Sequence, residues 1–134
     1  MLNNLSTEFD LQFTIKNEKN KLLAIRVGNP NHSSSLILDS LLLECLRPLS
    51  RYVSIYTYNK PFITDISDEP LNGIICFYNG KHIKIDCSTG NNNTIDFVLN
   101  DKKELIDLLT LAYKGGVKGK GLVVSPVKYY LNKK

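Results

Sequence analysis

The sequence predicts an α+β fold, in which an antiparallel sheet of about six strands carries two helices packed on it. Three observations predict this class. Several short stretches alternate apolar and polar residues with a period of two, which is typical of half-buried strands. Two longer stretches carry apolar residues at helical spacing, and an Asn-Gly pair separates two runs of strand character. The predicted order is β-β-α-β-β-β-β-α, followed by a basic C-terminal segment.

The first two predicted strands form a hairpin near the N-terminus. The stretch EFDLQFTIK (residues 8–16) alternates apolar and polar side chains, and KLLAIRV (residues 21–27) follows it after the polar turn NEKN. Two such runs joined by a four-residue loop are typical of a β-hairpin. The following GNPNHSSS contains glycine, asparagine and proline, which favour a break in regular structure.

The first predicted helix covers residues 35–47. Its polar residues recur every three or four positions and form one narrow stripe on a leucine-rich cylinder, which we expect Pro48 to end. A helix with so wide an apolar face must be covered on most sides. The segment from Leu36 to Leu46 therefore lies in the centre of the core or meets a second copy of the chain.

The middle of the sequence predicts three strands. RYVSIYTY (residues 51–58) alternates again and precedes a polar loop over residues 59–72. In IICFYNGKHIKID, the pair Asn79-Gly80 suits a type I′ turn, because both central residues of that turn need positive φ. The turn sets Tyr78 opposite Lys81, which assigns one hairpin face to the core and leaves the other partly wet. The predicted core face comprises Ile74, Cys76, Ile83 and Ile85.

A last strand and a second helix complete the predicted domain. TIDFVL (residues 94–99) has strand character, and Asp101 followed by Glu104 is typical of a helix N-terminus. We expect Gly115 or Gly116 to end this helix. The predicted domain therefore covers residues 1–114, and residues 115–134 form a Gly/Lys-rich segment that packs partly on the body or on a partner subunit.

Charge is distributed unevenly along the chain. The last 20 residues contain five lysines and no acidic residue, so the remaining 114 residues hold 12 basic against 13 acidic residues. The net charge of +4 is therefore a feature of the C-terminal segment. The motif KGGVKGKG is not a P-loop, because the spacing, the residue after lysine and the position behind a helix all differ from that pattern.

Several function classes are disfavoured by composition. The longest apolar stretch is interrupted by polar residues, which excludes a membrane span. Cys45, Cys76 and Cys87 lie far apart and form no C-x-x-C pair, so we expect buried free thiols, a reducing compartment and a cytoplasmic location. With two histidines and no metal-binding spacing, we expect neither a cofactor nor catalysis, and a small metal-dependent nuclease is retained as a minor alternative.

The basic segment and the strand aromatics together favour a non-catalytic protein that binds single-stranded DNA or RNA. Lysines would contact phosphates, and aromatic rings on the sheet would stack on unpaired bases. The predicted contact residues are Lys114, Lys118, Lys120, Lys128, Lys81, Lys84, Tyr56, Tyr58, Phe77 and His82.

An alternative function is protein interaction. The leucine-rich first helix and the apolar segment from Leu122 to Leu131 are both more apolar than a small monomer requires. Either could support self-association, which predicts a homodimeric regulatory or assembly module.

Overall fold

The structure is a computed structural model that describes residues 2–66, 68–97 and 99–129. It contains a mixed sheet with helices on both faces. The strands are β1 (Asn3–Leu5), β2 (Leu22–Val27), β3 (Val53–Tyr58), β4 (Gly73–Tyr78), β5 (Lys81–Asp86) and β6 (Leu122–Val124), and the helices are α1 (Glu8–Asn17), α2 (Ser33–Leu49) and α3 (Lys102–Val117).

The sheet has the strand order β1-β3-β2-β4-β5-β6. The β1–β3, β2–β3 and β5–β6 pairs are parallel, whereas β4 pairs antiparallel with both β2 and β5. The predicted α+β class is therefore confirmed. The sheet is mixed rather than antiparallel, and the described residues form three helices rather than two. Parallel strands must be joined by crossover connections. Helix α1 lies in the connection from β1 to β2, α2 in that from β2 to β3, and α3 in that from β5 to β6.

Two apolar layers cover the two faces of the sheet. The larger layer packs α2 and α3 against one face and contains Leu22, Ala24, Ile74 and Cys76. The smaller layer packs α1 against the other face. Because β2 is buried on both faces, it is apolar at five of its six positions, the exception being Arg26.

The stretch predicted as the first strand is helix α1. Its alternating pattern also contains the helical spacing of four residues, which places Leu11 and Ile15 on the buried side. The hydroxyl of Thr7 accepts a hydrogen bond from the Asp10 amide at 3.0 Å and begins the helix. The predicted N-terminal hairpin is therefore wrong.

The second hairpin has the predicted register. Asn79 and Gly80 adopt φ of 49° and 84°, and Tyr78 pairs with Lys81. The face expected to be partly wet is buried on β4, where Phe77 lies in the smaller layer beneath α1, but on β5 His82 is partly buried and Lys84 is exposed. Residues 94–97 make only an isolated bridge between Ile74 and Ile95, and residue 98 lies outside the described part.

Helix α2 covers the predicted segment and ends after Pro48 rather than before it. Helix α3 begins at the predicted cap, where the Asp101 carboxylate accepts from the Glu104 amide at 3.2 Å. Among the described residues, none of the helices has both the length and the apolar character to cross a membrane.

The two glycines expected to end α3 lie inside it and are buried. A Cβ atom on Gly115 would meet Val123, and one on Gly116 would lie 2.6 Å from the ring of Tyr78. The chain turns instead at Gly119, with φ of 80°, and continues into β6. The predicted boundary after residue 114 thus falls within α3. The role of residues 115–134 as a unit of their own stays a prediction, since residues 130–134 lie outside the described part.

Candidate interaction site

A groove opens between α2 and the strand pair β1–β3, with a volume of about 710 Å³. Its apolar walls come from Leu2 and from the α2 residues Leu36 and Leu43. The two α2 leucines keep 58% and 47% of their surface exposed, although they lie on a helix of the main core. Pro30 also lines the groove, and the other lining residues are polar: Asn4, Arg26, Asp39, Ser40, Thr57 and Asn59.

Arg26 lies beneath the groove and is only 1% exposed. Its Nε and one terminal nitrogen donate to the two carboxylate oxygens of Asp39, at 2.8 and 2.9 Å. It also donates to the Gly28 carbonyl oxygen at 3.0 Å and to the Asn59 side-chain oxygen at 2.9 Å. This network ties β2, α2 and the end of β3 together, because a buried guanidinium needs acceptors for its fixed donors.

The turn between β2 and α2 positions this network. Gly28 adopts φ of 116°, and a Cβ atom there would meet Asn72, so glycine is required at this position. The Asn29 side chain accepts from the Asn31 amide at 2.9 Å. The Nδ1 atom of His32 accepts from the Ser34 amide at 3.3 Å and begins α2. Asp39 then lies two turns into the helix, opposite Arg26.

Arg26, Asp39 and Asn59 were not predicted from the sequence as residues of a functional site. The available signal was a single arginine inside the apolar run LLAIRV. Such an arginine in a two-sided buried strand needs a carboxylate partner. Asp39 is the acidic residue of the following helix that lies closest to its N-terminus, although its approach to Arg26 depends on the parallel crossover.

The six lysines predicted to bind nucleic acid are all exposed. Lys81 Nζ donates to the Gly119 carbonyl at 3.3 Å, which places it beside Lys118 and Lys120 at the end of α3. Lys84 lies three residues further along β5, where it pairs with Leu122 of β6. Lys114 and Lys128 complete the set, and their individual roles stay predictions.

Of the four aromatic side chains in that predicted site, two are buried and two are partly buried. Tyr58 and Phe77 are 1% and 2% exposed and belong to the smaller core layer, whereas Tyr56 is half-buried beside it. His82 packs on Phe77 with ring centroids 5.5 Å apart, and burial lowers the pKa of its imidazole. Helix α1, which was expected to be a strand, covers this face and removes the rings from solvent.

The three thiols are buried and weakly acidic. Burial raises the pKa of Cys76 to about 12. Burial first, and then the carboxylates of Asp86 and Asp96, raise the pKa of Cys87 to about 12. Burial and then Glu44 raise the pKa of Cys45 to about 11. Thiols held in this state are poor nucleophiles at neutral pH.

The nuclease alternative would need acidic side chains that converge on a metal ion. Across residues 2–66, 68–97 and 99–129, no three side chains of histidine, cysteine, aspartate or glutamate are close enough to hold one ion. Asp101 and Glu104 instead cap α3, where the Glu104 carboxylate also accepts from the Asn100 amide. The geometry gives no support to the nuclease alternative.

Comparison with known proteins identifies the family. The family model described as mitosis protein DIM1 matches residues 1–129. The chain belongs to the DIM1 family. Spliceosomal protein DIB1 of Saccharomyces cerevisiae is 34% identical, with 96% of this chain and 93% of that protein covered. Mitosis protein dim1 of Schizosaccharomyces pombe is 32% identical, with 96% and 93% covered. Human thioredoxin-like protein 4B is 29% identical, with 95% and 88% covered.

DIM1 membership corrects the predicted function. The fold is a mixed α/β thioredoxin-like fold, whose described residues form three helices and a six-stranded sheet. The relatives are named as spliceosomal and mitosis proteins, so the prediction of a protein that binds single-stranded nucleic acid directly is wrong. The predicted homodimer is likewise unsupported by the family. The physical reason for the error is that α1 covers the aromatic face and that the Gly/Lys stretch belongs largely to α3 and its turn.

Proposed function

We propose that this protein is a non-catalytic component of the spliceosome that acts by binding other proteins. The single observation that carries the proposal is the match to the DIM1 family over residues 1–129, joined by full-length similarity to proteins named spliceosomal. Such a role requires the protein to enter the nucleus, in addition to the predicted cytoplasmic location.

The groove between α2 and β1–β3 is the surface that we assign to this role. Leu36 and Leu43 offer apolar anchors at its rim, and the Arg26–Asp39 pair holds the floor rigid. Exposed apolar side chains around a fixed polar centre are typical of a surface that receives a segment of another protein. The proposed occupant is an extended protein segment with aliphatic side chains spaced to meet the two leucines.

Thiol–disulfide exchange is the chemical alternative that a thioredoxin-like name raises. That reaction needs a pair of cysteines in a C-x-x-C arrangement, with one thiol of lowered pKa. The 134-residue sequence has cysteines only at positions 45, 76 and 87. Their pKa values are raised rather than lowered. These residues favour a binding role over a redox role.

A pair of neighbouring substitutions tests the proposal. Leu36 and Ile37 have nearly the same exposure, 58% and 56%, but only Leu36 lines the groove. The tagged protein, Leu36→Glu and Ile37→Glu are expressed in cells and recovered, and their co-purifying spliceosomal proteins and RNAs are quantified. We expect Leu36→Glu to lose association about tenfold or more, as at an interface anchor, and Ile37→Glu to retain it. Equal recovery by both variants would remove the groove from the proposal, and absence of spliceosomal components from the unmodified protein would refute the function itself.

A further inference from the structure

Helix α1 carries an aromatic pair on its outer face. Phe9 and Phe13 are 75% and 58% exposed, and their rings stack with centroids 6.2 Å apart. The buried side of the same helix is formed by Leu11 and Ile15. The fold therefore does not need the two phenylalanines for its core. Two adjacent exposed aromatic side chains on one helix face are typical of an interaction surface.

Beside this helix lie residues 60–66 and 68–72 of the loop that follows β3. The Thr64 hydroxyl donates to the Glu8 carboxylate at 3.0 Å, and Ile63 packs in the same apolar layer as Leu11. The loop contributes a further exposed aromatic residue, Phe62. We call α1 together with this loop the α1 face.

The α1 face is acidic on a chain that is basic overall. This face contains five carboxylates and two lysines, Lys16 and Lys60, so its net charge is −3, whereas the net charge of the whole protein is +4. Opposite charge attracts partners from a distance and suppresses binding of like-charged ones. Polyphosphate chains such as RNA are therefore repelled from this face. The five carboxylates belong to Glu8, Asp10, Asp65, Asp68 and Glu69.

We propose that the α1 face binds an arginine-bearing extended segment of another protein. A guanidinium stacks on an aromatic ring and also makes two parallel hydrogen bonds to a carboxylate. The α1 face offers both partners together, because Asp10 and Phe13 are three residues apart on the same helix and therefore neighbours on its surface. Lysine matches this arrangement less well, since its ammonium group is more strongly hydrated and has no planar fork.

This surface is separate from the groove assigned above. Helix α1 packs on one face of the sheet, and α2 packs on the opposite face. The two surfaces can therefore be occupied at the same time, and loss of one leaves the other intact. The inference goes beyond the proposed function, because it concerns a different face and a partner of defined charge.

A fluorescence anisotropy titration tests the inference. The probe is a fluorescein-labelled 12-residue peptide of three Gly-Arg-Leu-Arg repeats, compared with peptides in which lysine or glutamate replaces arginine. We expect the arginine peptide to bind more tightly than the lysine peptide and the glutamate peptide not to bind. Phe9→Ser/Phe13→Ser should weaken arginine-peptide binding about tenfold, the sum of two cation–π contacts.

A second variant and a matched control separate the contributions. Asp65→Asn/Asp68→Asn leaves the aromatic pair in place and should weaken binding mainly at low salt, because it removes two charges; asparagine also tolerates the positive φ of 69° at residue 65. Leu36→Ser/Leu43→Ser removes two exposed apolar side chains from the other face and should leave peptide affinity unchanged. Thermal melting confirms that each variant is folded.

Three results would overturn the inference. The first is equal affinity of the Phe9→Ser/Phe13→Ser and Leu36→Ser/Leu43→Ser variants for the arginine peptide. The second is binding of the glutamate peptide as tightly as the arginine peptide. The third is binding of a 12-nucleotide single-stranded RNA by the unmodified protein but not by Phe9→Ser/Phe13→Ser. None of them touches the Leu36 test of the spliceosomal role, so the two proposals fail independently.

Discussion

At the scale of single residues, Arg26 is the side chain on which the groove depends. It is a cation buried in the middle of the sheet, and its charge is compensated mainly by Asp39, whose side chain keeps 26% of its surface exposed. A buried charge that loses its partner is far more costly than a surface charge that does so. The bidentate geometry of this pair also fixes where α2 lies relative to β2.

Replacing Asp39 by asparagine should destabilise the protein by about 3 kcal/mol, near the lower end of the range for a broken buried ion pair, because Asp39 is partly exposed. The free energy of unfolding in urea measures the change. Asp107→Asn is the matched control, since the Lys103–Asp107 pair is 80% and 63% exposed and should show no measurable loss. Equal effects of the two substitutions would contradict the assigned role of Arg26.

The buried thiols should react slowly. With pKa values raised to about 11 for Cys45 and about 12 for Cys76 and Cys87, almost none of any thiol is ionised at pH 8. Alkylation by iodoacetamide at this pH should be at least about a hundredfold slower in the folded protein than in urea, because only the thiolate attacks. Mass spectrometry follows the adducts. Fast labelling of any one cysteine in the folded protein would reopen a redox role.

His82 should make stability depend on pH below neutrality. Burial is the main cause that lowers the pKa of His82, and the nearby Lys84 adds to it, while the hydrogen bond to the Asn93 carbonyl opposes the shift. Because the folded protein then binds fewer protons than the unfolded chain below about pH 6.5, stability is full above that pH and falls as the pH is lowered through the folded pKa. His82→Gln should flatten urea unfolding free energies between pH 7 and 5. A variant with the same slope as the unmodified protein would rule this out.

At the scale of elements, the glycines of α3 serve close packing rather than helix termination. Gly116 allows the helix to lie against Tyr78, and Gly115 allows it to lie against Val123 in β6. The C-terminal end of α3 is thereby fixed to both the second hairpin and the edge strand. The glycine- and lysine-rich stretch resembles a flexible linker in sequence. Its first half nevertheless belongs to α3, and the turn at residues 118–121 is its mostly exposed part.

Gly116→Ala should lose about 1–2 kcal/mol of stability, since a Cβ atom 2.6 Å from the Tyr78 ring puts the overpacking cost at about 2–3 kcal/mol, above a helix-propensity gain of about 1 kcal/mol. The control is Gly119→Asn, where nothing lies within 4 Å of an added Cβ atom and asparagine tolerates a φ of 80°. Its stability should remain close to that of the unmodified protein. Chemical denaturation of both variants provides the test, and a Gly116→Ala protein of unchanged stability would contradict the close packing.

Local patterns predicted the elements whose structure depends on neighbouring residues. The second hairpin, its register and its core face followed from Asn79-Gly80, and the start of α3 followed from Asp101 and Glu104. Helix α1 was misassigned because it buries only Leu11 and Ile15, so that its apolar residues satisfy a period of two as well as helical spacing. The parallel pairing of β2 with β3 and the Arg26 network depend on long-range packing, which no local pattern encodes.

At the scale of the whole molecule, the distribution of charge and the burial of the two sheet faces favour protein binding over binding of single-stranded nucleic acid. The positive excess lies at the C-terminal end, whereas the α1 face is acidic and the sheet residues Tyr58 and Phe77 are buried in the layer beneath α1. A basic segment without accessible aromatic rings is insufficient for a single-strand platform. Helices α1 and α2 each keep exposed apolar side chains, Phe9 and Phe13 on one side of the sheet and Leu36, Ile37 and Leu43 on the other, which suits a protein that connects other proteins.

Photo-crosslinking within purified spliceosomal particles tests the central claim most directly. Benzoylphenylalanine is placed at residue 36, inside the groove, or at residue 37, outside it, and the adducts are identified after irradiation. The account predicts a protein adduct at position 36 and at most a weak one at position 37. Adducts to RNA alone at position 36, or equal protein adducts at both positions, would contradict it.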